Sequence, residues 1–374
     1  MATDKTHKIP NAPNLRFPGF EGEWKETVIG DVADVIGGGT PDTTVSSYWD
    51  GDIAWFTPTE IGHNKYVRKS KRTISEKGLC NSSAKLLPLG AILLTTRATI
   101  GETSITLNAC TTNQGFQSLI SKSNIDNEFL YYLIGTKKKD LFEKACGSTF
   151  MEISANEVRK IRIKAPTKQE QVRIAKFLAI LDKRIETQIG AINKHESLIK
   201  AIAGELTCEG EKVRLADLVD CHSSTMQEND ITNDGPYPVY GATGICGYTD
   251  SPMCKEDAII IVKDGSGVGN IKFVSGGFSI LGTLCYLTAK QDVSIGYVYC
   301  CLVNFDFSPY KTGMAIPHIY FKDYGKGEIN IKNAAEQQKT RTLVLSLMNK
   351  LDVERQLLKQ YKLQKQYLLS QMFV

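Results

Sequence analysis

The 374-residue sequence lacks the signatures of most enzyme classes. It has no GxxxxGK followed by Ser or Thr, and so no phosphate-cradling P-loop. It has no HExxH pair to hold a catalytic zinc and no GxSxG turn to expose a nucleophilic serine. The Asp/Asn-Pro-Pro-aromatic stretch of amino-methyltransferases is also missing. Gly265-Ser266-Gly267-Val268-Gly269 has the wrong spacing for a dinucleotide fingerprint and lies between two β-rich runs, which reads as a hairpin turn. Histidine is scarce: His7, His63, His195, His222 and His318 are far apart, and Cys221-His222 has no second pair at ligand spacing, so no zinc site is expected. There is no CxxC among the ten cysteines, and the opening residues carry no apolar stretch of the secretory kind. Reduced thiols in a cytoplasmic chain are expected, with Cys300 and Cys301 on alternate faces of a strand. Apolar runs are short. Ala258 to Val262 is strand-sized, far below the roughly 18 residues of a membrane helix, so no membrane partner is expected. The net charge of +4 permits nucleic-acid binding without requiring it.

What the sequence has instead is a repeat of itself. Pro166-Thr167-Lys168-Gln169-Glu170-Gln171 and Lys332-Asn333-Ala334-Ala335-Glu336-Gln337 both precede helical patterns, 166 residues apart. Thr167 with Glu170, and Asn333 with Glu336, stand as N-cap and N3 residues of a capping box, in which the carboxylate reaches back to the cap. Beyond each cap runs a 4-3 spaced seam. The first is Ile174, Leu178, Leu181, Ile185, Gln188, Ile192, His195, Ile199 and Ile202. Adding 166 gives Thr340, Val344, Leu347, Leu351, Glu354, Leu358, Tyr361, Lys365 and Leu368. A repeat of 3.5 residues makes a narrow stripe for another helix, so the two are expected to be coiled-coil partners, each about 50 Å long at 1.5 Å per residue. His195 is expected as a hydrogen-bonded polar residue that sets register. Thr340, Glu354 and Lys365 weaken the second seam, which predicts fraying there or ordering by partner subunits.

Upstream, Gly147 to Ile153 matches Gly313 to Ile319, and Arg97 matches Lys263 at one turn. At the front, Ile29-Gly30-Asp31-Val32 matches Leu215-Ala216-Asp217-Leu218 at an offset of 186, so the first copy carries about 20 extra residues between Asp34 and Arg97. Short β-rich runs alternate with glycine-rich turns within each copy, with a short helix near Asn127 to Lys139 and another near Ile295 to Asn304. The expected class is α+β: two tandem domains of mixed or antiparallel sheet, each followed by a long helix. The expected boundaries are a tail at 1–23, a first domain at 24–165, a helix at 166–206, a second domain at 210–332 and a helix at 333–373.

Positive charge supplies the candidate binding residues. Lys65, Arg68, Lys69, Lys71 and Arg72 fall within eight residues with Tyr66 among them and no acid, inside the stretch that holds the extra residues. Such a loop on a rigid sheet suits phosphate contact, and arginine can read guanine O6 and N7 with both arms. Arg97 and Lys263 are cations at the same turn of both copies, suited either to DNA or to a structural ion pair.

The chain resembles a known family at several points. Pro13-Asn14-Leu15-Arg16-Phe17-Pro18-Gly19-Phe20 with Glu23-Trp24 is similar to the start of specificity subunits of type I restriction–modification systems. So are Gly38-Gly39-Thr40-Pro41, Gly51-Asp52-Ile53-Ala54-Trp55, Thr112-Asn113-Gln114-Gly115 and Tyr237-Pro238-Val239-Tyr240-Gly241-Ala242-Thr243-Gly244. Lys263 to Gly269, Ile316-Pro317-His318-Ile319 and the Glu170 to Ala175 helix start complete the set. The resemblance implies a non-catalytic DNA-reading subunit whose two target recognition domains read the halves of a split, asymmetric site in double-stranded DNA. It implies that the two long helices pack antiparallel as a spacer and dock methyltransferase subunits, two of them, and through these the motor and restriction subunits. S-adenosylmethionine and ATP would then be bound by those partners, with no cofactor in this chain. The alternative is a coiled-coil adapter that joins protein partners and never touches DNA.

Overall fold

The computed structural model describes residues 11–146, 151–290 and 293–374. The start of the Gly147 to Ile153 match, at 147–150, lies outside them. The chain forms two compact units, Met1–Glu186 with Lys359–Val374, and Thr187–Leu358. The long helices run Lys168–Thr207 and Ala334–Met372, and each unit takes in a stretch of both. The division follows packing, not chain order: each globular domain gathers the parts of both helices that lie against it.

The first unit opens with Lys25–Val28 paired antiparallel to Arg162–Ala165. Its larger sheet has the order Ala33–Gly37, Gln117–Ser121, Ile92–Leu94, Thr103–Thr106, Tyr66–Val67. A smaller sheet holds Arg72–Ile74, Trp49–Phe56 and Cys110–Thr112, the last two parallel. The second unit repeats the plan. Glu211–Arg214 pairs with Glu328–Ile331, and the larger sheet runs Val219–Ser223, Leu284–Ala289, Ala258–Val262, Ile271–Val274. The smaller one runs Gly244–Thr249, Tyr237–Gly241, Ser279–Ile280. The short strand Tyr66–Val67 has no counterpart in the second large sheet. It is where part of the first copy's extra length goes. The class is α+β, with mixed pairing inside both units.

The seam positions turn inward in each unit. Ile174, Leu178 and Leu181 are buried in the first unit with Leu368, and Ile185 is partly buried. Asp182 meets Lys365, and Arg184 lies over the Tyr361 ring, so the two stretches run antiparallel there. In the second unit Ile192, Ile199, Val344 and Leu351 are buried together, with Leu347 and Leu358 packed against them. The polar seam residues have partners rather than frayed turns. Glu354 Oε2 lies 2.7 Å from His195 Nδ1, and Gln188 donates to the Glu354 carbonyl oxygen. Thr340 is buried near Cys300, and the C-terminal helix is unbroken through all of them.

Three expectations are corrected. Residues 11–23 are no loose tail. Leu15 N–H donates to Gln371 O, Phe17 packs edge-on against Phe177, and buried Trp24 packs against Phe129 and Phe373. Glu170 does not reach back to its cap. It is buried and takes a two-armed pair from Arg16 (both arms 2.8 Å), because a carboxylate removed from water needs a full charge partner. Its second-copy counterpart Glu336 stays exposed and does engage the Asn333 side chain. Cys300 and Cys301 lie in the helix Ile295–Leu302, not in a strand. Apolar runs of this length suit a buried helix as well as a strand.

Two devices fix the helices to their domains. Gln171, 2% exposed, accepts from the Asp126 N–H (2.7 Å) and donates to Pro166 O (2.9 Å). Gln337 does the same with the Ser294 N–H (3.2 Å) and Lys332 O (2.8 Å). Each glutamine joins the first turn of a long helix to the start of the short helix in its own domain. The second device exists in the first unit. Tyr132 donates to Asp182 (2.6 Å) and accepts from Lys65 (2.9 Å), Lys65 pairs with Glu128, and Asp182 pairs with Lys365.

Replacing either glutamine by alanine leaves a buried N–H and a carbonyl unpaired. Gln171→Ala and Gln337→Ala should each cost about 1–3 kcal/mol in denaturant unfolding. Asp182→Ala leaves Lys365 without its counter-charge and the Tyr132 hydroxyl without its acceptor in a partly buried site, and should cost about 2 kcal/mol. Adding Lys365→Met should recover part of that loss, and a double-mutant cycle in thermal unfolding reads the coupling.

Candidate nucleic-acid interface

The basic cluster lies on the crossing between the two sheets of the first unit. Tyr66–Val67 belongs to the larger sheet and Arg72–Ile74 to the smaller one, so residues 68–71 span the gap. The loop is braced from beneath. Ser70 accepts from the Trp55 N–H (3.0 Å) and donates to Arg72 O (2.6 Å). Glu60 accepts from the Lys71 N–H (2.6 Å) and, with its other oxygen, from Thr57. Arg68, Lys69, Lys71 and Arg72 are exposed on this frame.

Arg72 alone of the four has an aromatic ring beneath it among the described residues. Its guanidinium carbon sits 3.6 Å from the centre of the Trp49 ring, and Trp49 packs edge-on to Trp55 at 5.0 Å. Both indoles are pinned: Trp49 donates to Asp42 O (3.0 Å) and Trp55 to Gly39 O (2.9 Å). The Gly38-Gly39 stretch permits this approach, since a Cβ at Gly38 would lie 1.9 Å from Asn113 O. A stacked guanidinium keeps its donors at its edge, free to meet a phosphate or a guanine, and loses little rotamer freedom on doing so.

The other sequence candidates are placed differently. Lys65 points inward. Its side chain is 9% exposed, and its ammonium is held by Glu128 and Tyr132 against the Tyr131 ring. Burial, and then the hydrogen bond to Asp182, push the Tyr132 hydroxyl pKa upward, so it remains a donor. Arg97 pairs with Glu152 at 2.7 Å, and Lys263 with Asp264 at 3.6 Å. The two acids differ in place: Asp264 directly follows Lys263, whereas Glu152 comes from the stretch that His318 matches. The backbones of the two turns make similar bonds one residue out of step: Ile319 N–H donates to Lys263 O, and Ile153 N–H to Thr96 O, the residue before Arg97.

The second unit has no basic loop of the same kind. Its exposed features are others: Lys272 above the Tyr240 ring at 5.1 Å, and a hairpin closed by Thr312 and His318 that leaves Met314 and Ile316 in water. Sequence reasoning passed over both, although Tyr240 and Ile316 stand inside stretches it had quoted. On the helices, Ile180, Leu198, Val353, Leu357, Leu363 and Tyr367 face outward, away from the seam. Among the described residues no helix is long and apolar enough to cross a membrane, and no cluster of His, Cys, Asp or Glu could hold a metal ion.

The type I restriction–modification DNA specificity domain matches residues 21–194 and again residues 209–362. The chain is 37% identical over 203 residues to the type I restriction enzyme MjaIX specificity subunit of Methanocaldococcus jannaschii, a match covering 50% of this chain and 46% of that protein. The chain thus spans about half the length of that relative. It is 24% identical over 330 residues to the EcoprrI specificity subunit of Escherichia coli, covering 80% of each. In fold it is similar to a crystal structure of the S subunit of a type I restriction–modification system from M. genitalium, with a TM-score of 0.65 at 18% identity over 97% of this chain and 99% of the other. With one copy of the domain in each half, this chain belongs to the family of type I restriction–modification specificity subunits.

Proposed function

We propose that this chain is the DNA-reading subunit of a type I restriction–modification complex, carries out no catalysis itself, and acts in the cytoplasm. Each domain reads one half of a split site in double-stranded DNA. The helices dock two methyltransferase subunits and, through them, the motor and restriction subunits. S-adenosylmethionine and ATP are bound by those partners. The observation that carries the DNA reading is Arg72, exposed at the far end of the basic loop with its guanidinium against the Trp49 ring. Arg68, Lys69 and Lys71 supply phosphate contacts beside it, which position the duplex without specifying sequence. Lys65 serves the fold of this loop and not the DNA directly. Arg97 and Lys263 hold the matched turns in shape and reach a phosphate only by exchanging a carboxylate for it. The outward apolar residues of the helices, Val353 and Leu357 in one unit and Leu363 and Tyr367 in the other, support protein docking there.

The decisive measurement is methylation mapping of source-cell DNA with and without this gene. Loss of a methylated, two-part site is expected. An unchanged methylome with intact binding to protein partners would favour the adapter instead. In the assembled complex, Arg72→Ala should weaken binding to DNA carrying that site by about tenfold or more and relax one half only. Arg72→Lys should not restore it, because an ammonium neither stacks nor forks. Lys69→Ala with Lys71→Ala should lower the salt slope by about one per lost contact and leave sequence choice intact.

A further inference from the structure

The two units treat the same place in opposite ways. In the first unit, Lys65 fills the space between the domain and the helices, against Tyr131, paired with Glu128 and joined through Tyr132 to Asp182, which pairs with Lys365. Counting from the matched short-helix starts, Asn127 and Ile295, Tyr131 corresponds to Tyr299 and Glu128 to Gly296. Counting from the matched glutamines, Asp182 corresponds to Met348 and Lys365 to Ile199. Tyr299, Met348 and Ile199 all line one cleft of about 540 Å³, lying wholly within the second unit. The extra segment that supplies Lys65 is missing from this copy, and both acids are gone with it.

The cleft has the chemistry of a binding site. Tyr299 is 6% exposed, and its hydroxyl has no hydrogen-bond partner among the described residues, although the residue lines the cleft. The hydroxyl is not sealed from solvent, so a ligand atom entering the cleft can pair with it. The floor is apolar, with Ile260, Leu284 and Leu351, and Tyr240 adds a second ring at the wall. Charge at the edge is mainly positive. Lys200, Lys272 and Arg355 stand there with one acid of the lining, Glu196, which lies 2.7 Å from Arg355; Asp352 braces Arg355 at 3.2 Å. Among the described residues no ion pair holds Lys272, whose ammonium lies above Tyr240. The size suits a small organic ligand.

We propose that this cleft binds a nucleotide, with the flat base between the tyrosines and the apolar floor, the phosphate at Lys272 and Lys200, and a polar atom of the base on the Tyr299 hydroxyl. A cation fills the site in the first unit, and the reversal of charge in the second selects an anion. The nucleotide has two possible sources. It is either a free mononucleotide or one unit of the DNA strand, and the latter source rests on the DNA reading above. Bound there, it links the second domain to its helices as Lys65 does in the first.

The test uses the full chain in its methyltransferase complex. The four deoxynucleoside 5′-monophosphates and inorganic phosphate are titrated by calorimetry with thermal unfolding in parallel. Duplexes carrying the methylated site, with 2-aminopurine placed in turn at each position other than the methylated base, test the strand. Variants are Tyr299→Phe, which keeps the ring, and Lys272→Ala, with Tyr131→Phe as the first-unit control. A free source gives saturable monophosphate binding with Kd below about 1 mM, weakened about tenfold by either second-unit variant and untouched by the control. It also gives a ligand-dependent rise in Tm. A strand source gives no such binding, but 2-aminopurine brightening at one position that both variants abolish. Failure of both signals, signals indifferent to Tyr299→Phe, or phosphate binding as tightly as the nucleotides overturns the proposal. Binding of duplex by the wild-type complex, read separately by gel shift, tests the DNA reading itself. Its absence beside saturable monophosphate binding leaves the cleft standing and removes that reading.

Discussion

A single buried amide in each half, Gln171 and Gln337, holds a long helix to its globular domain, and much else depends on that hold. A 40-residue helix with an average polar composition has little reason to sit at a fixed angle on a small domain, since helical propensity fixes no direction in space. The glutamine fixes it by using both ends of its side chain. The oxygen takes a donor from the first turn of the domain's short helix, and the nitrogen gives to the strand end just before the long one. No charge is involved, so the joint is insensitive to salt and pH. The proposed DNA reading would draw on that property, because the surface presented must keep its geometry while counterions come and go around it. Once the first turn is placed, the seam residues of that helix face its neighbour in each unit without further instruction.

The seam was legible because period is a property of sequence alone. Ile174 through Ile202 repeats as 4-3, and the second helix matches it residue for residue, so burial of Leu178, Ile199, Val344 and Leu351 follows from spacing. Direction is not a property of sequence in the same way. Lys65 and Arg72 stand seven residues apart in one run of cations, yet one is tied to Glu128 and Tyr132 inside while the other lies flat on Trp49 outside. What separates them is which strand each one sits beside. Lys65 precedes a strand at the edge of the large sheet, near the helices, and Arg72 begins a strand of the small sheet beside the tryptophans. Glu170 shows the same limit. Its spacing from Thr167 fits a capping box, and only the chain doubling back through Arg16 shows that the carboxylate is claimed from elsewhere.

The second half of the molecule is not a poorer version of the first. The repeat preserves the frame: paired strands at the base, a short apolar helix and the glutamine joint. It changes what the frame presents. In the first unit the extra residues add an edge strand, a basic loop and an inward lysine in one stroke, and these three are mechanically linked. The Lys65 ammonium anchors the near end of the loop, and Glu60 with Ser70 anchors its middle. Arg72 on Trp49 anchors its far end. A loop held at three points presents its charges at fixed spacing, which a free basic run of the same composition cannot do.

Removing the extra segment in the second copy therefore has consequences beyond the loss of four exposed cations. It takes out the plug and leaves a cleft walled by Tyr299 beneath an edge of lysine and arginine. Mutation could have filled the cleft with leucine, as the seam just beneath it is filled. Its retention of a hydroxyl, an aromatic wall and unpaired positive charge fits a place kept for something that arrives from outside. On this reading both units close the joint between domain and helices with a charged group. One carries that group in its own chain, and the other takes it from a ligand.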